Sequence, residues 1–469
     1  MTYRSTTVGL ALWISGLATA IPSPVHAAEP DPVLQALVRE TLDRSPDLKR
    51  AQLTVASLRE RAPQAATLAD PTLAVAYQND GWAIEGFDNP MMSTFFSIMA
   101  TQPLPWPGKR QARHQVVAVD VEAAEALLGR IRLDLQAQIR RGYVGLLLAR
   151  EQRRLVDDQE TLWQQAEAVA KARNAVGQGS QLDLLRAQLE RARLAQTKAS
   201  LLADERTRRT ELNRLAGRPF DAVLEPKVAL EELPLPDAPA DALDQTLSRS
   251  PELAAAQVAI RKARLQGDLA QSEKRPDLAV TAGIMPRGFA NEPMWQVGLS
   301  VTLPVWSGAR LDRVAGEAQL QAQAGEQAVR ELTEVLGQRT RERLDQAQST
   351  REINDLYRKG VLPRSHATVR SALAQYGVGK APFVSVLEAL NGWFADRSAF
   401  LGSLAQAHAL SIALDQASLD AAPGIPVGAV GGAGSMGGGS GSASAAKTST
   451  SSGATAAAAS APGGGMGGM

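Results

Sequence analysis

The sequence predicts a mainly α-helical protein with a small membrane β-sheet, written as two copies of one module. Three observations predict it. First, the chain repeats itself. Glu40–Gln52 (ETLDRSPDLKRAQ) returns as Gln245–Gln257 (QTLSRSPELAAAQ), Leu104–Arg110 (LPWPGKR) as Leu303–Arg310 (LPVWSGAR), and Val176–Ala187 as Val378–Ala389. A unit this long, repeated with small insertions and deletions, builds one pseudo-twofold body. Second, Gly108–Arg218 contains no proline and is rich in Ala, Leu, Glu, Gln and Arg, all good helix formers. Third, short segments between the helical stretches alternate apolar and polar residues with a period of two, the pattern of a strand with one greasy face.

Taken in order, residues 1–27 read as a secretory signal. Arg4 supplies the positive start, Val8–Ile21 is mostly apolar, and Val25-His26-Ala27 precedes the cut. Residues 31–220 form the first repeat, 221–239 a proline-rich linker, 240–420 the second repeat, and 421–469 a Gly/Ala/Ser tail containing Met436, Met466 and Met469. The tail has too few apolar residues to build a core.

In the first repeat a helix is expected near 46–69, then strands around Leu73, Val75 and Tyr77 and around Phe96, Ile98 and Ala100. Helices over 108–175 and 182–216 follow, folded back at Val176–Ser180. The second repeat matches with a helix near 251–275 and helices over 308–376 and 384–418 around a Gly377–Pro382 turn. Pro363 is expected to kink the long one. At ~1.5 Å per residue the helix 108–175 spans ~100 Å, and 46–69 plus 182–216 together ~90 Å. Each repeat can therefore lay one long rod beside two shorter ones placed end to end.

The clearest strand has Trp295, Val297, Leu299, Val301, Leu303 and Val305 alternating with Gln296, Gly298, Ser300, Thr302 and Pro304. Its partner carries Leu278, Val280, Ala282 and Ile284. About ten residues is what a tilted strand needs to cross a bilayer; a half-buried hairpin in a soluble sandwich is the other reading. Four strands in lipid leave open edges, which hydrocarbon does not tolerate. The membrane reading thus requires oligomerisation, and a trimer gives twelve strands.

Composition excludes several classes. A formal net charge of +1 offers no basic field for nucleic acid. There is no cysteine, so disulfides, thiolate ligands and a lipidated N-terminal Cys are ruled out. His114, His366 and His408 are scattered, and no phosphate loop, nucleophile motif, cofactor pattern or metal-ligand spacing occurs. The chain reads as a non-enzyme.

Three segments carry a resemblance: Gln102–Arg110 (QPLPWPGKR), Ala175–Glu190 (AVGQGSQLDLLRAQLE) and Leu362–Leu390 (LPRSHATVRSALAQYGVGKAPFVSVLEAL). With the repeat order they resemble the TolC family of outer-membrane efflux ducts over roughly residues 31–420. The resemblance implies a trimer: a twelve-stranded β-barrel in the outer membrane, four strands per protomer, continuous with a long periplasmic α-helical barrel. It implies a passive duct served by a periplasmic membrane-fusion adaptor and an inner-membrane pump of the RND or ABC type. The PLPWPGKR wording looks most like the heavy-metal branch, and Pro90-Met91-Met92 and Met99 lean the same way.

The same resemblance assigns sites. Val176, Gly177, Gly179, Val378 and Gly379 fall where an adaptor docks on the helix tips, although glycine at a helix end is also ordinary capping. Asp183, Ser385 and Glu388 fall at the periplasmic aperture, where threefold symmetry turns one carboxylate into a ring. Asp183 alone is also a carboxylate well placed at a helix N-terminus. Arg186, one turn on, is a candidate closing salt bridge. Trp106, Lys109, Arg110 and Trp306 fall at the membrane interface. Two alternatives stay open: a type I secretion or polymer-export duct with the same fold, and a soluble periplasmic coiled-coil adaptor.

Overall fold

A computed structural model of the chain describes residues 31–78, 95–235, 241–286, 292–419 and 425. The chain divides into units 1–430 and 431–469. The expected signal, Pro90–Met92 and the tail methionines lie outside the described residues.

The first repeat runs α1 (Pro32–Arg44), α2 (Pro46–Gln64), β1 (Thr72–Gln78), β2 (Phe95–Leu104), α3 (Lys109–Ala175) and α4 (Gln181–Leu215). The second runs α5 (Ala242–Arg249), α6 (Pro251–Glu273), β3 (Asp277–Met285), β4 (Met294–Thr302), α7 (Gly308–Leu356), a π turn (Tyr357–Val361), α8 (Leu362–Gly377) and α9 (Phe383–Gln416). The short α1 and α5 were not expected. Each ends where a Ser-Pro pair stops it and starts the next helix. Ser45 and Ser250 donate their backbone N–H back to Thr41 O and Thr246 O, and their hydroxyls accept from Leu48 N and Leu253 N at 3.4 Å. Pro46 and Pro251 then occupy the first helical position, where a missing N–H costs nothing.

Pro363 interrupts less than expected. Leu362 N–H bonds back to Tyr357 O across the π turn, and Pro363 enters the first turn of α8, where its lack of a donor is tolerated. The chain therefore stays helical from Gly308 to Gly377.

The long α3 packs along α2 and α4 of its own repeat and along α6 and α9 of the other, while α7 packs on α6 and α9. Two apolar cores result. One gathers Leu37 of α1, Ile139, Tyr143 and Leu146 of α3, Leu212 of α4 and Leu404 of α9. Leu224 and Leu230, in the segment joining the repeats, are buried in this same core. The other gathers Trp163 and Ala170 of α3, Ala187 of α4, Val369 and Tyr376 of α8, and Phe383 and Val386 of α9.

The four strands form one antiparallel sheet in the order β1-β2-β3-β4. The central β2–β3 pair joins the repeats. Register lines up Val75, Ile98, Ile284 and Trp295 in one row and Leu73, Ala100, Ala282 and Val297 in the next. These rows make one exposed apolar face, with Trp295 at 76 %. The opposite face carries Thr101, Thr281 and Gly298, and the two threonine hydroxyls lie 3.3 Å apart. Met99 belongs to this second face, opposite Gly283. β1 and β4 are the outer strands, each with one unpaired edge among the described residues. No helix among the described residues is long and apolar enough to cross a membrane.

Candidate functional site

The two helix-turn-helix tips share one backbone design. After α3, Gly177 takes φ +73°, Gln178 N–H bonds to Arg173 O at 2.9 Å, and Ser180 Oγ accepts from Leu182 N at 3.1 Å to start α4. After α8, Gly379 takes φ +76° and Lys380 N–H bonds to Gln375 O at 2.9 Å. Both glycines hold left-handed backbone that a Cβ would strain. Gly179 is needed for space instead: a Cβ there would meet Asn174 N at 2.9 Å. At each apex a valine stands clear, Val176 at 68 % and Val378 at 70 % exposure.

The tips are tied to each other. Arg173 of the first donates from Nη1 to Tyr376 O of the second at 2.5 Å and from Nη2 to Gln178 O at 3.0 Å. Its guanidinium lies 4.7 Å from the centre of the Tyr376 ring. Tyr376 Oη then donates to Asp183 Oδ2 at 3.2 Å. The ring itself is 2 % exposed and meets Phe383 edge-on. Burial, reinforced by the Asp183 charge, pushes the Tyr376 hydroxyl up to about 12, so it remains a donor.

Asp183 therefore bonds across to the other repeat, and the expected Asp183–Arg186 bridge is corrected: no ion pair joins them among the described residues. The first turn of α4 presents Asp183 to the buried tyrosine, and that hydrogen bond to the carboxylate takes the place of a solvent-side pairing. Ser385 and Glu388 line a groove of about 730 Å³ between α8 and α9 that also holds Thr368, Gln375 and Asp396. No hydrogen bond links Glu388 to Asp183 among the described residues.

At the sheet end a second correction applies. Lys109, expected at the lipid interface, is only 2 % exposed. Gly108, at φ +96°, turns the chain so that α3 begins with Lys109 pointing inward. Its Nζ sits 2.9 Å from Asp277 and 3.5 Å from Glu273, whose carboxylate also takes Arg113 at 2.7 Å. Trp106 N–H donates to Asp277 at 2.9 Å. A buried ammonium needs such partners, because an unpaired one is strongly destabilising. Arg110 stays exposed, donating to Ala66 O at 3.3 Å; Trp306 is 95 % exposed, whereas Trp106 is half-buried.

Sequence reasoning missed Tyr376 and Arg173. The one signal was asymmetry: on the tip alignment Tyr376 stands opposite Asn174, an aromatic where the first copy has an amide. No cluster of carboxylates and histidines able to hold a metal occurs among the described residues.

The family model for outer membrane efflux proteins matches residues 37–218 and 242–418, both repeats nearly end to end. The chain belongs to that family. This outer membrane efflux protein is 27 % identical over 320 residues to the cobalt-zinc-cadmium resistance protein CzcC of Cupriavidus metallidurans, covering 67 % of this chain and 74 % of the relative. It is 26 % identical to the nickel and cobalt resistance protein CnrC of the same organism, covering 66 % and 72 %. Among solved structures it is similar to the outer membrane protein VceC of Vibrio cholerae, with a TM-score of 0.69 at 18 % identity over 82 % of this chain and 96 % of that one. The MtrE outer membrane channel of Neisseria gonorrhoeae gives 0.68 at 19 % over 83 % and 89 %. The fold is that of these channels, and the family places the protein in the outer membrane. The soluble-adaptor alternative is thereby set aside.

Proposed function

We propose that three copies of this efflux protein join β4 of one to β1 of the next and close a twelve-stranded barrel over a periplasmic tube of helices. The supporting observation is a four-stranded sheet with two open edges and one continuous apolar face. Each unpaired backbone group in hydrocarbon costs on the order of several kcal/mol. Closure by neighbouring copies removes that cost. The face carrying Thr101 and Thr281 then lines water, and Trp295 and Val297 meet lipid. Trp306, Trp106 and Arg110 mark the inner boundary.

In this reading the duct is passive, with no cofactor and no resident metal. A periplasmic membrane-fusion adaptor docks at Val176, Gly177, Gly179, Val378 and Gly379, and an inner-membrane pump of the RND or ABC type supplies the energy. Asp183, Glu388 and Ser385 ring the periplasmic mouth, and such carboxylate rings favour cations. The Arg173–Tyr376–Asp183 lash holds each pair of tips together at rest. The cargo is a divalent metal ion, by analogy with the relatives named for cobalt, zinc, cadmium and nickel resistance.

Purified protein in planar bilayers tests this: a trimeric mass with cation-selective conductance is expected, and a monomer without conductance overturns it. Deleting the gene should sensitise cells to cobalt, zinc or cadmium. Unchanged metal tolerance with loss of a secreted protein or polymer would favour the secretion-duct reading.

A further inference from the structure

Beside the first apolar core the packing stops short. α1, the middle of α3, the end of α9 and the segment joining the repeats leave a cavity of about 420 Å³ between them. Its walls include Leu34 and Val38 of α1, Val144 of α3, Leu233 of the joining segment and Ile412 of α9. Leu34, Val38 and Leu233 pack on the core yet stay partly open on this side. Walls of this kind around a space of several hundred Å³ hold a small organic molecule.

Two polar groups of the cavity lack a partner. His408 of α9 lines it and is 4 % exposed, and its Nε2 has no hydrogen bond among the described residues. Buried polar atoms are nearly always paired, because a dry and unbonded one is costly. Arg39 of α1 lines the cavity from an exposed position and makes no ion pair among the described residues; the neighbouring Glu40 is taken by Arg218 and Arg44.

The charges at the mouth have a sign. Arg140 of α3 pairs there with Asp415 of α9 at 2.8 Å. Two guanidiniums against one carboxylate leave a net positive charge, which suits an anion. His408 and Asp415 are seven residues apart on α9, about 10 Å along the helix axis. The charged mouth and the lone imidazole therefore mark two ends of one apolar space.

We infer that this cavity binds a small amphipathic carboxylate about 10 Å long that carries a second oxygen at its far end. The acid meets Arg39 and Arg140 at the mouth. The body lies against Val38, Val144 and Ile412, and the second oxygen, a hydroxyl or carbonyl, takes the His408 nitrogen. A neutral imidazole nitrogen can serve either kind of oxygen, since it donates in one tautomer and accepts in the other. Every group named belongs to one chain, so the site does not depend on barrel closure. Its occupant would bridge the first described helix to the last.

The probe is 4-benzoylbenzoate, an acid of this class whose ketone crosslinks on illumination. Protein extracted from outer membranes in its native assembly should be labelled on the α9 peptide holding His408 and Ile412. Labelling should saturate below about 1 mM and be blocked by excess 4′-hydroxybiphenyl-4-carboxylate. Arg39→Gln should raise the half-saturating concentration about tenfold and His408→Leu about fivefold. Val38→Trp, which fills the cavity from a half-buried position, should abolish labelling while the native mass and melting temperature stay those of the parent. Arg39 is exposed, so loss in Arg39→Gln does not reduce to misfolding. Labelling that never saturates, or that is unchanged in Arg39→Gln and Val38→Trp, overturns the site. Equal labelling by the neutral 4-methylbenzophenone would show that the mouth does not read a carboxylate, and overturns it too.

Discussion

The two helix tips have the same backbone and different side chains. Each turns through a left-handed glycine, Gly177 or Gly379, beneath an exposed valine. Yet the first tip contributes Arg173 and Asp183, and the second contributes Tyr376 and its carbonyl. Neither tip alone holds all three members of the Arg173–Tyr376–Asp183 chain. Duplication supplied two equal hairpins, and divergence made them complementary. The lash exists only because the copies stopped being identical.

The largest expected effect comes from breaking that complementarity at its centre. Arg173→Ala removes the charged hydrogen bond to Tyr376 O and a cation–ring contact between the tips, about 2–3 kcal/mol and on the order of 30- to 150-fold in the open-to-closed ratio. Resting conductance of the reconstituted protein should rise accordingly, and an unchanged trace would mean that the lash does not hold the tips. Tyr376→Phe removes only the hydroxyl bond to Asp183, about 1.5 kcal/mol or roughly tenfold. Adding Asp183→Asn to Tyr376→Phe should bring little further change, because the two act through one contact. Independent, additive effects in that cycle would separate the carboxylate from the tyrosine.

The shared backbone can be probed apart from the side chains. Gly177→Ala and Gly379→Ala should each cost about 1–2 kcal/mol, with similar drops in thermal stability. A large difference between them would show that one tip is braced in a way the other is not.

The smallest effect at neutral pH lies away from the tips, at His408 in α9. Burial pushes this imidazole down to about 4, below its ordinary 6.5, and its Nε2 has no hydrogen-bond partner among the described residues. The folded protein holds it neutral while the unfolded chain binds the proton, so stability is lost as pH falls from about 6.5 toward 4. His408→Leu should leave the melting temperature nearly unchanged at pH 8 and flatten its decline on acidification. An equal decline in both proteins would assign acid sensitivity to other groups.

Much of the site was legible because local rules wrote it. Glycine at a helix end and alternation in a strand depend on neighbours a few residues away. Other features were not legible. The Ser-Pro pairs at 45–46 and 250–251 look like lead-ins until the backbone bonds to Thr41 and Thr246 show that each closes one helix and opens another. Lys109 in a Pro-Gly-Lys-Arg string reads as interfacial, and only the approach of Asp277 and Glu273, more than 160 residues away, makes it internal. Arg186 is one turn from Asp183 along the helix, but Tyr376 is nearer in space in the way that matters, through a hydrogen bond.

By itself the sequence determined the duplication, the helix lengths, the apolar face of the strands and the two glycine turns. All of these follow from periodicity and backbone freedom within a short stretch. Only the tertiary structure decided which charges meet: Lys109 with Asp277, and Arg173 and Asp183 on opposite sides of Tyr376. The reason is that a charge chooses its partner by distance and burial, and both are set by helices that lie side by side after the chain has doubled back.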